Sequence, residues 1–571
     1  MIRIKKLKKL FKVHKIDGYI IPKNDEFFGE YIPEYKDNLK FISNFSGSYG
    51  FALILKKKNY LFVDGRYTLQ AKIQSGKNFE IITLPEKLAY NILKDKKLSI
   101  GFDPRLFTNL MLNRFFKKSN CKLIPLNKNL VNIIWKNKNS KKNNNFYKLD
   151  DKDAGQLSRH KIKKILKILI KNKVNLQFVT ASENVAWLLN IRGSDSEFTP
   201  IPNSYLILEN NKTYFFCDTK KIDTKLKTKL ENVILVDIKY IKKFLSKIKN
   251  KTIQIDSFSC SVFFKNIIKK NNVIFEKQDP IYLLKSIKNK IEIKNIIKSH
   301  IYDGVALTKF LFWVKNNFKN KKISEISAQE KLLMFRKNNK TFKSLSFPTI
   351  SGSGPNGAII HYKATQISNR ILKKGDIYLV DSGGQYNYGT TDVTRTISLD
   401  NNQSRVKNIF TRVLKGHIAV ANYKLNRNSI GSEIDKAARK PLKEIDLDYA
   451  HGTGHGVGYF LNVHEGPHAI SKDNKIKLKE GMIVSNEPGY YEKGKFGIRI
   501  ENLITIKKFK KNYHFSNLTL VPIDKSLVEK KLLNKNEISW LNNYHAKVFN
   551  NLKKFMNKSE LSELKNSCSN I

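Results

Sequence analysis

The sequence IYLVDSGGQYNYGTTDVTRTI, residues 377–397, has the pattern of an apolar strand, a glycine-rich turn and a second strand. It contains two aspartates, Asp381 and Asp392, which lie eleven residues apart. A hairpin would bring the two carboxylates onto one pocket. We therefore expect the two strands to pair and both aspartates to belong to one site.

Three further residues of ligand type follow in the C-terminal half of the chain. His455 lies in HGTGHGVG, Glu487 follows the apolar strand MIVS, and Glu501 lies in FGIRIENLITI, which we expect to be a strand. An isolated acidic residue is most often a solvated surface charge. Four carboxylates and one histidine, all set in apolar strands and glycine-rich turns, indicate a site instead.

This donor set indicates a particular kind of metal centre. Carboxylate oxygens with one imidazole are suitable ligands for two divalent cations such as Mn²⁺. They do not match the ligand set of a cysteine-rich zinc site. Two metal ions about 3.5 to 4 Å apart share a water, lower its pKa and polarise the oxygen of a scissile carbonyl. The reaction that these residues imply is hydrolysis of an amide.

The sequence before the site divides into two α/β regions. Two segments have the pattern of a strand, a polar turn and a second strand: FALILKKKNYLFV (51–63) and YLILENNKTYFFC (205–217). This repetition predicts two related domains. KNKNSKKNNN (136–145) has no apolar residue and is the best linker candidate. A long amphipathic helix beginning near Lys288 opens the third region. We expect domains at 1–148, 149–287 and 288–571.

The chain is strongly basic, with 106 Lys and Arg against 49 Asp and Glu and a net charge of +57. The excess is mostly lysine, and it is spread along the whole chain together with abundant Asn and Ile. A solvated lysine-rich surface is therefore the favoured interpretation, and we expect no nucleic-acid partner.

The four cysteines indicate a reducing compartment. Cys121, Cys217, Cys260 and Cys568 are widely separated and form no CxxC pair, so neither a disulfide framework nor a zinc knuckle is expected. No apolar run approaches the roughly 18 residues that a membrane span needs. We expect a cytoplasmic protein with no membrane partner, whose N-terminal helix packs on a strand at Gly18–Ile21.

Eight motifs are distributed over nearly the whole chain. They are DSGGQYNYGTTDVTRT, GTGHGVGYFLNVHEGP, SNEPGYY, IRIEN, IRGSD (191–195), DGRYTLQA (64–71), SGSGPNGAIIHY (351–362) and WLNNYH (540–545). Together they resemble the dinuclear metallopeptidases of the pita-bread fold and, among them, the large cytosolic Xaa-Pro aminopeptidases (aminopeptidase P). The resemblance implies an α/β (α+β) protein with two related creatinase-type N-terminal domains and a C-terminal pita-bread domain.

The resemblance assigns the metal ligands. Asp381, Asp392, His455, Glu487 and Glu501 match the family's ligand positions, and all five residues are present. Asp392 and Glu501 resemble the bridging or bidentate carboxylates. Glu487 matches the carboxylate that is the family's candidate for accepting the proton of the metal-bound water.

The resemblance also assigns pocket residues. His361 matches a histidine that lines the substrate pocket and positions or shuttles protons, and His464 matches one that hydrogen-bonds the tetrahedral intermediate. His451 matches a histidine of the proline pocket. Arg499 and Tyr491 match residues near the active site, and two-residue spacing on a strand places Arg499 on the same face as Glu501.

The implied activity is removal of the N-terminal residue from peptides with proline second, using two divalent metal ions, expected to be Mn²⁺. A hydroxide bridging the metals would attack the Xaa-Pro amide. Proline matters because it lacks an N–H and has a fixed φ, so aminopeptidases that bind an extended, hydrogen-bonded backbone accept it poorly. The family also implies a homodimer.

Other classes stay open at this point. A prolidase, which cleaves Xaa-Pro dipeptides, is the nearest alternative, but its plan lacks one N-terminal domain and the WLNNYH tail. Methionine aminopeptidases share the ligands and lack these N-terminal domains, while creatinase-like relatives lose ligands. A non-enzymatic pita-bread scaffold that binds protein or nucleic acid is supported only by the charge.

Overall fold

A computed structural model describes residues 2–136, 144–400, 403–510 and 512–571. The chain forms two compact units, Met1–Tyr282 and Leu283–Ile571. Most of the predicted linker at 136–145 lies outside the described residues. The domain boundaries at 148 and 287 stay a prediction.

The first part of the N-terminal unit is a six-stranded sheet in the order β4-β3-β2-β1-β5-β6. Its strands are β1 Gly18–Pro22, β2 Phe51–Leu55, β3 Asn59–Asp64, β4 Glu80–Leu84, β5 Ser99–Phe102 and β6 Lys122–Pro125. Its helices are α1 Ile2–Val13, α2 Asn38–Ser43, α3 Thr68–Ser75, α4 Ala89–Leu93, α5 Asn109–Phe116 and α6 Leu130–Ile134.

The second part of this unit is another six-stranded sheet, in the order β12-β11-β10-β8-β13-β14. Its strands are β7 Tyr147–Lys148, β8 Leu176–Val179, β9 Ile191–Arg192, β10 Tyr205–Glu209, β11 Lys212–Cys217, β12 Val233–Asp237, β13 Thr252–Ile255 and β14 Val273–Glu276, of which β7 and β9 form a separate two-stranded sheet. Its helices are α7 Asp151–Ala154, α8 Ser158–Lys171, α9 Ser182–Leu189, α10 Thr224–Lys229, α11 Ile241–Lys247 and α12 Val262–Lys269. A further helix, α13 Pro280–Ser286, follows.

The two sheets share one topology. In the first, β1–β2 and β2–β3 are antiparallel while β3–β4, β1–β5 and β5–β6 are parallel. The second sheet repeats these directions pair for pair. The expectation of two related α/β domains is therefore confirmed.

The core of the first sheet follows from strand periodicity. Tyr19 and Ile21 of β1 pack in one apolar cluster, whereas Ile20 packs in another, because successive side chains point to opposite faces. Helix α1 buries Ile4, Leu7 and Phe11 in the first of these clusters. This confirms the predicted packing of the N-terminal helix.

The C-terminal unit has antiparallel sheets flanked by helices. Its helices are α14 Lys290–Asn317, α15 Glu325–Lys337, α16 Ser404–Ala421, α17 Gly431–Lys443, α18 Lys535–Leu552 and α19 Lys558–Cys568. Its strands are β15 Phe342–Leu345, β16 Ile350–Ser353, β17 Ile377–Ser382, β18 Gly384–Tyr386, β19 Gly389–Thr390, β20 Val393–Ser398, β21 Gly454–Gly456, β22 Glu465–Ile470, β23 Ile483–Asn486, β24 Gly489–Glu492, β25 Phe496–Arg499, β26 Asn502–Phe509 and β27 Asn512–Asn517.

Two sheets of this unit carry the site. One has the order β16-β17-β20 and the other β22-β21-β23-β26-β27. The expectation that FGIRIENLITI forms one strand is wrong, since β25 ends at Arg499 and β26 begins at Asn502. The interruption arises because Ile500 N–H bonds to Pro488 O and Glu501 N–H bonds to Thr394 O, which are tertiary contacts.

The described residues also bear on the cysteines and on membrane-spanning segments. All four cysteines have free thiols. Across 2–136, 144–400, 403–510 and 512–571, the structure contains no helix that is both long and apolar enough to span a membrane.

Candidate active site

The two aspartates of the glycine-rich hairpin lie on paired strands. β17 and β20 are antiparallel, with Asp381 opposite Thr394, and Asp392 immediately precedes β20. The short hairpin of β18 and β19 occupies the sequence between them. The structure thus places both carboxylates at neighbouring ends of two buried strands, as the pattern predicts.

Three of the five predicted ligands come together closely. Asp392, His455 and Glu501 each offer a ligand atom within 4.8 Å of the other two. His455 Nε2 also lies 3.5 Å from Glu487 Oε1 and 3.4 Å from Asp392 Oδ2. These distances place Glu487 beside the same imidazole.

The buried carboxylates repel one another. Burial, followed by the charges of Asp381 and Glu487, raises the pKa of Asp392 well above its usual value. Burial and the charge of Asp392 do the same to the pKa of Glu501. Burial also raises the pKa of Glu487. The positive charge of the neighbouring protein groups is therefore too small to balance the negative charge of these carboxylates.

A divalent metal pair fits this site. Asp381 Oδ1 is buried and has no hydrogen-bond partner among the described residues. Oxygen donors that are buried, mutually repulsive and unsatisfied are suited to hard divalent cations. The donor set of this structure thus supports two divalent ions.

His455 is oriented for metal binding by its neighbours. Its Nδ1–H donates to Gly456 O at 3.0 Å, which leaves the Nε2 lone pair directed at the carboxylates. Its backbone N–H donates to Ser485 Oγ at 2.9 Å, and that hydroxyl donates to Glu487 Oε1 at 3.0 Å. Ser485 therefore orients two ligands, a role that sequence reasoning missed although the residue lies two positions before Glu487.

Arg499 connects several site residues. It is buried and donates to Asp381 Oδ2 at 2.7 Å, to Tyr491 OH at 2.6 Å and to Thr394 Oγ1 at 3.0 Å. Thr394 in turn donates to Glu501 Oε2 at 2.8 Å. Arg499 and Glu501 thus reach the same site through Thr394, although the strand is interrupted between them.

Tyr491 and His451 continue the chain of hydrogen bonds that begins at Arg499. His451 Nδ1–H donates to Gly452 O at 2.8 Å, so its Nε2 accepts from Tyr491 OH at 2.9 Å. Burial raises the pKa of Tyr491 to about 12. The phenol therefore stays protonated and remains a donor to His451 at neutral pH.

The two remaining predicted histidines, His464 and His361, lie in different settings from each other, and His468 was not among the predicted site residues. The His464 ring is half-buried, with its centroid 4.3 Å from that of His455. His361 is half-buried in the turn after a 3₁₀ helix at Gly354–Ala358. His468 is fully buried, its Nε2–H donates to Ile483 O at 2.8 Å, and burial lowers its pKa to about 3.

Arg395 is a supporting residue that sequence reasoning missed. Its buried guanidinium donates to the carbonyl of Glu501 at 2.7 Å, to Val521 O at 2.8 Å and to Tyr544 OH at 2.8 Å. Tyr544 belongs to the WLNNYH motif, so the function of this motif includes anchoring the strand beside the ligands. An arginine three residues after Asp392 was the available signal.

Family comparisons define the class. Residues 294–508 match "Metallopeptidase family M24" and residues 511–571 match the "C-terminal region of peptidase_M24". Residues 3–133 and 137–292 each match a "Creatinase/Prolidase N-terminal domain". The fold is therefore that of an M24 metallopeptidase preceded in the sequence by two creatinase-type domains.

Individual relatives narrow the class. A protein of Laccaria bicolor named "Probable Xaa-Pro aminopeptidase P" is 39% identical, covering 96% of this chain and 89% of the relative. "Xaa-Pro aminopeptidase 1" of Dictyostelium discoideum is 37% identical, covering 99% and 95%. The chain belongs to the Xaa-Pro aminopeptidase family.

Solved structures agree with this assignment. An X-prolyl aminopeptidase of Caenorhabditis elegans, described as a cytosolic enzyme with a di-nuclear active site, has a TM-score of 0.95 and 31% identity, covering 100% of this chain and 99% of that one. A prolidase of Pyrococcus horikoshii has a TM-score of 0.53 and covers 64% of this chain. The expected fold class, with creatinase-type N-terminal domains followed by an M24 pita-bread domain, is confirmed.

Proposed function

We propose that the protein is a metal-dependent aminopeptidase that releases the N-terminal residue from peptides with proline in second position. The observation that carries this proposal is the set of three carboxylates close to His455, with Asp381 as a fourth carboxylate beside Asp392, in a chain of which 96% aligns with an Xaa-Pro aminopeptidase relative. The prolidase structure aligns with 64% of this chain and the X-prolyl aminopeptidase structure with 100%, which disfavours the dipeptidase alternative.

Two divalent metal ions would be held by Asp381, Asp392, His455, Glu487 and Glu501, and we propose Mn²⁺ as the native metal. When bound, such ions lower the pKa of water and polarise the scissile carbonyl. The oxygen-rich donor set supports Mn²⁺, which prefers carboxylates and accepts one imidazole.

Glu487 is the proposed proton acceptor. Its carboxylate lies beside the His455 imidazole, and the Ser485 hydroxyl, which donates to Glu487 Oε1 at 3.0 Å, restricts its orientation. His464, whose ring centroid lies 4.3 Å from that of His455, is the proposed hydrogen-bond donor to the negative charge that develops at the attacked carbonyl.

The remaining predicted residues would recognise the substrate. His451 and Tyr491, linked at 2.9 Å, are proposed to line the pocket for proline, with Arg499 fixing the phenol at 2.6 Å. His361 is proposed to line the pocket and to shuttle protons. A site that makes no hydrogen bond to the N–H of the second residue would accept proline, and the proposed pocket would supply the preference for its ring.

We also propose a cytoplasmic homodimer with domains at 1–148, 149–287 and 288–571, and with no nucleic-acid or membrane partner. The free cysteines suit a reducing compartment. Sedimentation at several protein concentrations tests the oligomeric state.

The deciding experiment compares an Xaa-Pro dipeptide with a longer Xaa-Pro-Xaa peptide. Metal-stripped protein would be assayed before and after addition of Mn²⁺, beside an Asp392→Asn variant. Release of the first residue from the longer peptide, only with metal and only by the parent, is the expected result. Cleavage of the dipeptide alone would identify a prolidase, and no cleavage of either peptide despite metal uptake would favour a binding scaffold.

A further inference from the structure

A buried ion cluster lies beside the ligand strands. It consists of Lys285, Lys288 and Glu465, whose side chains are 1%, 0% and 1% exposed. The Lys288 ammonium donates to Glu465 Oε1, and Lys285 Nζ lies 3.7 Å from Glu465 Oε2. Apolar side chains of similar volume often stabilise a core as well as buried ions do. Packing alone therefore does not account for the cluster.

Glu465 occupies an irregular point of the sheet. It directly follows His464 and is the first residue of β22. His455 of β21 lies opposite Ala469, whereas Gly456 lies opposite Glu465, so residues 466–468 are inserted between successive pairs. Such an interruption removes regular ladder bonds. The His464–Glu465 segment therefore depends on side-chain contacts for its position.

The fit around Glu465 is tight. A Cβ added to Gly456 would lie 2.3 Å from Glu465 O, and one added to Gly458 would lie 3.2 Å from Glu465 Oε2. The same segment holds the His464 ring 4.3 Å from the His455 ring. A shift of Glu465 would therefore move His464 relative to the metal ligand His455.

Lys288 also contacts a second ligand-bearing strand. Its backbone N–H donates to Gly481 O at 3.0 Å, and its own carbonyl would lie 2.6 Å from a Cβ on Gly481. Gly481 leads into β23, which ends one residue before Glu487. One lysine thus joins the segment of His464 to the strand of Glu487.

We propose that Lys288, supported by Lys285, is a positioning residue that holds His464 against His455 through the carboxylate of Glu465. The inference rests on the role proposed for His464. Lys288 does not touch the reacting atoms. It keeps the imidazole at a fixed distance from the ligands, and rate falls steeply when such groups are displaced by about 1 Å.

The first test is Lys288→Met, which keeps an unbranched side chain as far as the Cε position and removes the charged ammonium. We expect kcat to fall about 10- to 100-fold, with KM within about 3-fold and metal content unchanged. Lys315→Met is the matched control, because Lys315 Nζ also pairs with a buried carboxylate, Asp524 at 2.8 Å, outside the ligand set. The control is expected to retain parental kcat.

A double-mutant cycle separates positioning from general stability. In a His464→Ala background, Lys288→Met should cause little further loss, because its effect passes through the missing imidazole. Losses that multiply, or a Lys288→Met variant with kcat within about 2-fold of the parent, would overturn the inference. If Lys288→Met does not fold, Glu465→Gln carries the same cycle, since it keeps the shape and weakens both ion pairs.

The outcomes distinguish the inference from the proposed function. Failure of the parent protein to release the first residue of an Xaa-Pro-Xaa peptide would contradict the activity itself. Parental kcat in His464→Ala would contradict the role of His464, and the inference with it, while leaving the activity intact.

Discussion

In the N-terminal unit, Asp64 and Asp103 are each followed two residues later by an arginine that donates to both carboxylate oxygens. In the C-terminal unit, burial and neighbouring carboxylates raise the pKa of Asp392 and Glu501 well above their usual values. The first arrangement balances its charge within the chain. The second requires cations from solution, which is the difference between a structural ion pair and a metal site.

The largest expected effect is that of Asp392→Asn. Removing a central ligand should lower kcat/KM by about 10³-fold or more and reduce the metal bound per chain, because loss of even an outer partner costs 10- to 100-fold. Asp103→Asn is the matched control. Activity assays and elemental analysis test the contrast, and a metal-loaded, fully active Asp392→Asn protein would contradict it.

Metal removal should destabilise the C-terminal unit in a pH-dependent way. A carboxyl whose folded pKa is raised stabilises the metal-free fold below its unfolded value of about 4, and this contribution is lost as the pH rises through the folded value. Metal-free protein should therefore lose stability above about pH 4, and Mn²⁺ at 100 to 1,000 times its Kd should restore about 3 to 4 kcal/mol.

Thermal unfolding from pH 4 to 8, with and without Mn²⁺, measures this effect, which corresponds to a Tm difference of about 5 to 15 °C. Comparison of metal-free parent with metal-free Asp392→Asn isolates the contribution of the site. The expectation would be contradicted if the metal-free parent became more stable than the metal-free variant as the pH rises.

Arg499→Lys should have a smaller effect. Lysine keeps the charge but cannot make the three contacts to Asp381, Tyr491 and Thr394 at once. We expect kcat to fall about 10- to 100-fold with metal retained. Arg105→Lys in the N-terminal unit serves as control, and equal activity of the two variants would show that the site needs only the charge.

Tyr491→Phe should be milder still. It removes the hydroxyl between Arg499 and His451, a net loss of about 1 kcal/mol, so KM should rise about 3- to 10-fold with kcat little changed. Tyr490→Phe is the control, because Tyr490 belongs to the apolar core cluster. A fall in kcat with KM unchanged would assign Tyr491 to the chemical step.

The smallest expected effect on activity is that of Asp103→Asn, which should change stability alone. Its partner Arg105 is 41% exposed, but Asp103 is 4% exposed and also accepts from Asn129 Nδ2 at 3.1 Å, so the change should cost about 1 to 2 kcal/mol. Denaturant unfolding measures this, and kcat/KM should match the parent. A large loss of activity would show that the N-terminal pair does more than balance charge.

Much of this arrangement was predictable from local pattern. The hairpin that carries Asp381 and Asp392 and the repeated strand pairs follow from alternation of apolar runs and turns. The break at Ile500 was not predictable, because it depends on two tertiary hydrogen bonds. Ile500 N–H donates to Pro488 O and Glu501 N–H donates to Thr394 O, and neither acceptor is a sequence neighbour of its donor. The roles of Ser485 and Arg395 were hidden for the same reason, since short polar residues and buried arginines acquire partners only in three dimensions.

The bonds of Arg395 also impose an order on biosynthesis. The ligands from Asp381 to Glu501 leave the ribosome before Val521 and Tyr544, whose oxygens hold this guanidinium beside Glu501. A nascent chain ending before residue 521 would carry every ligand and lack their anchor. We therefore expect stable metal binding to follow completion of the C-terminal unit, and a chain truncated before residue 521 should bind metal more weakly than the full chain.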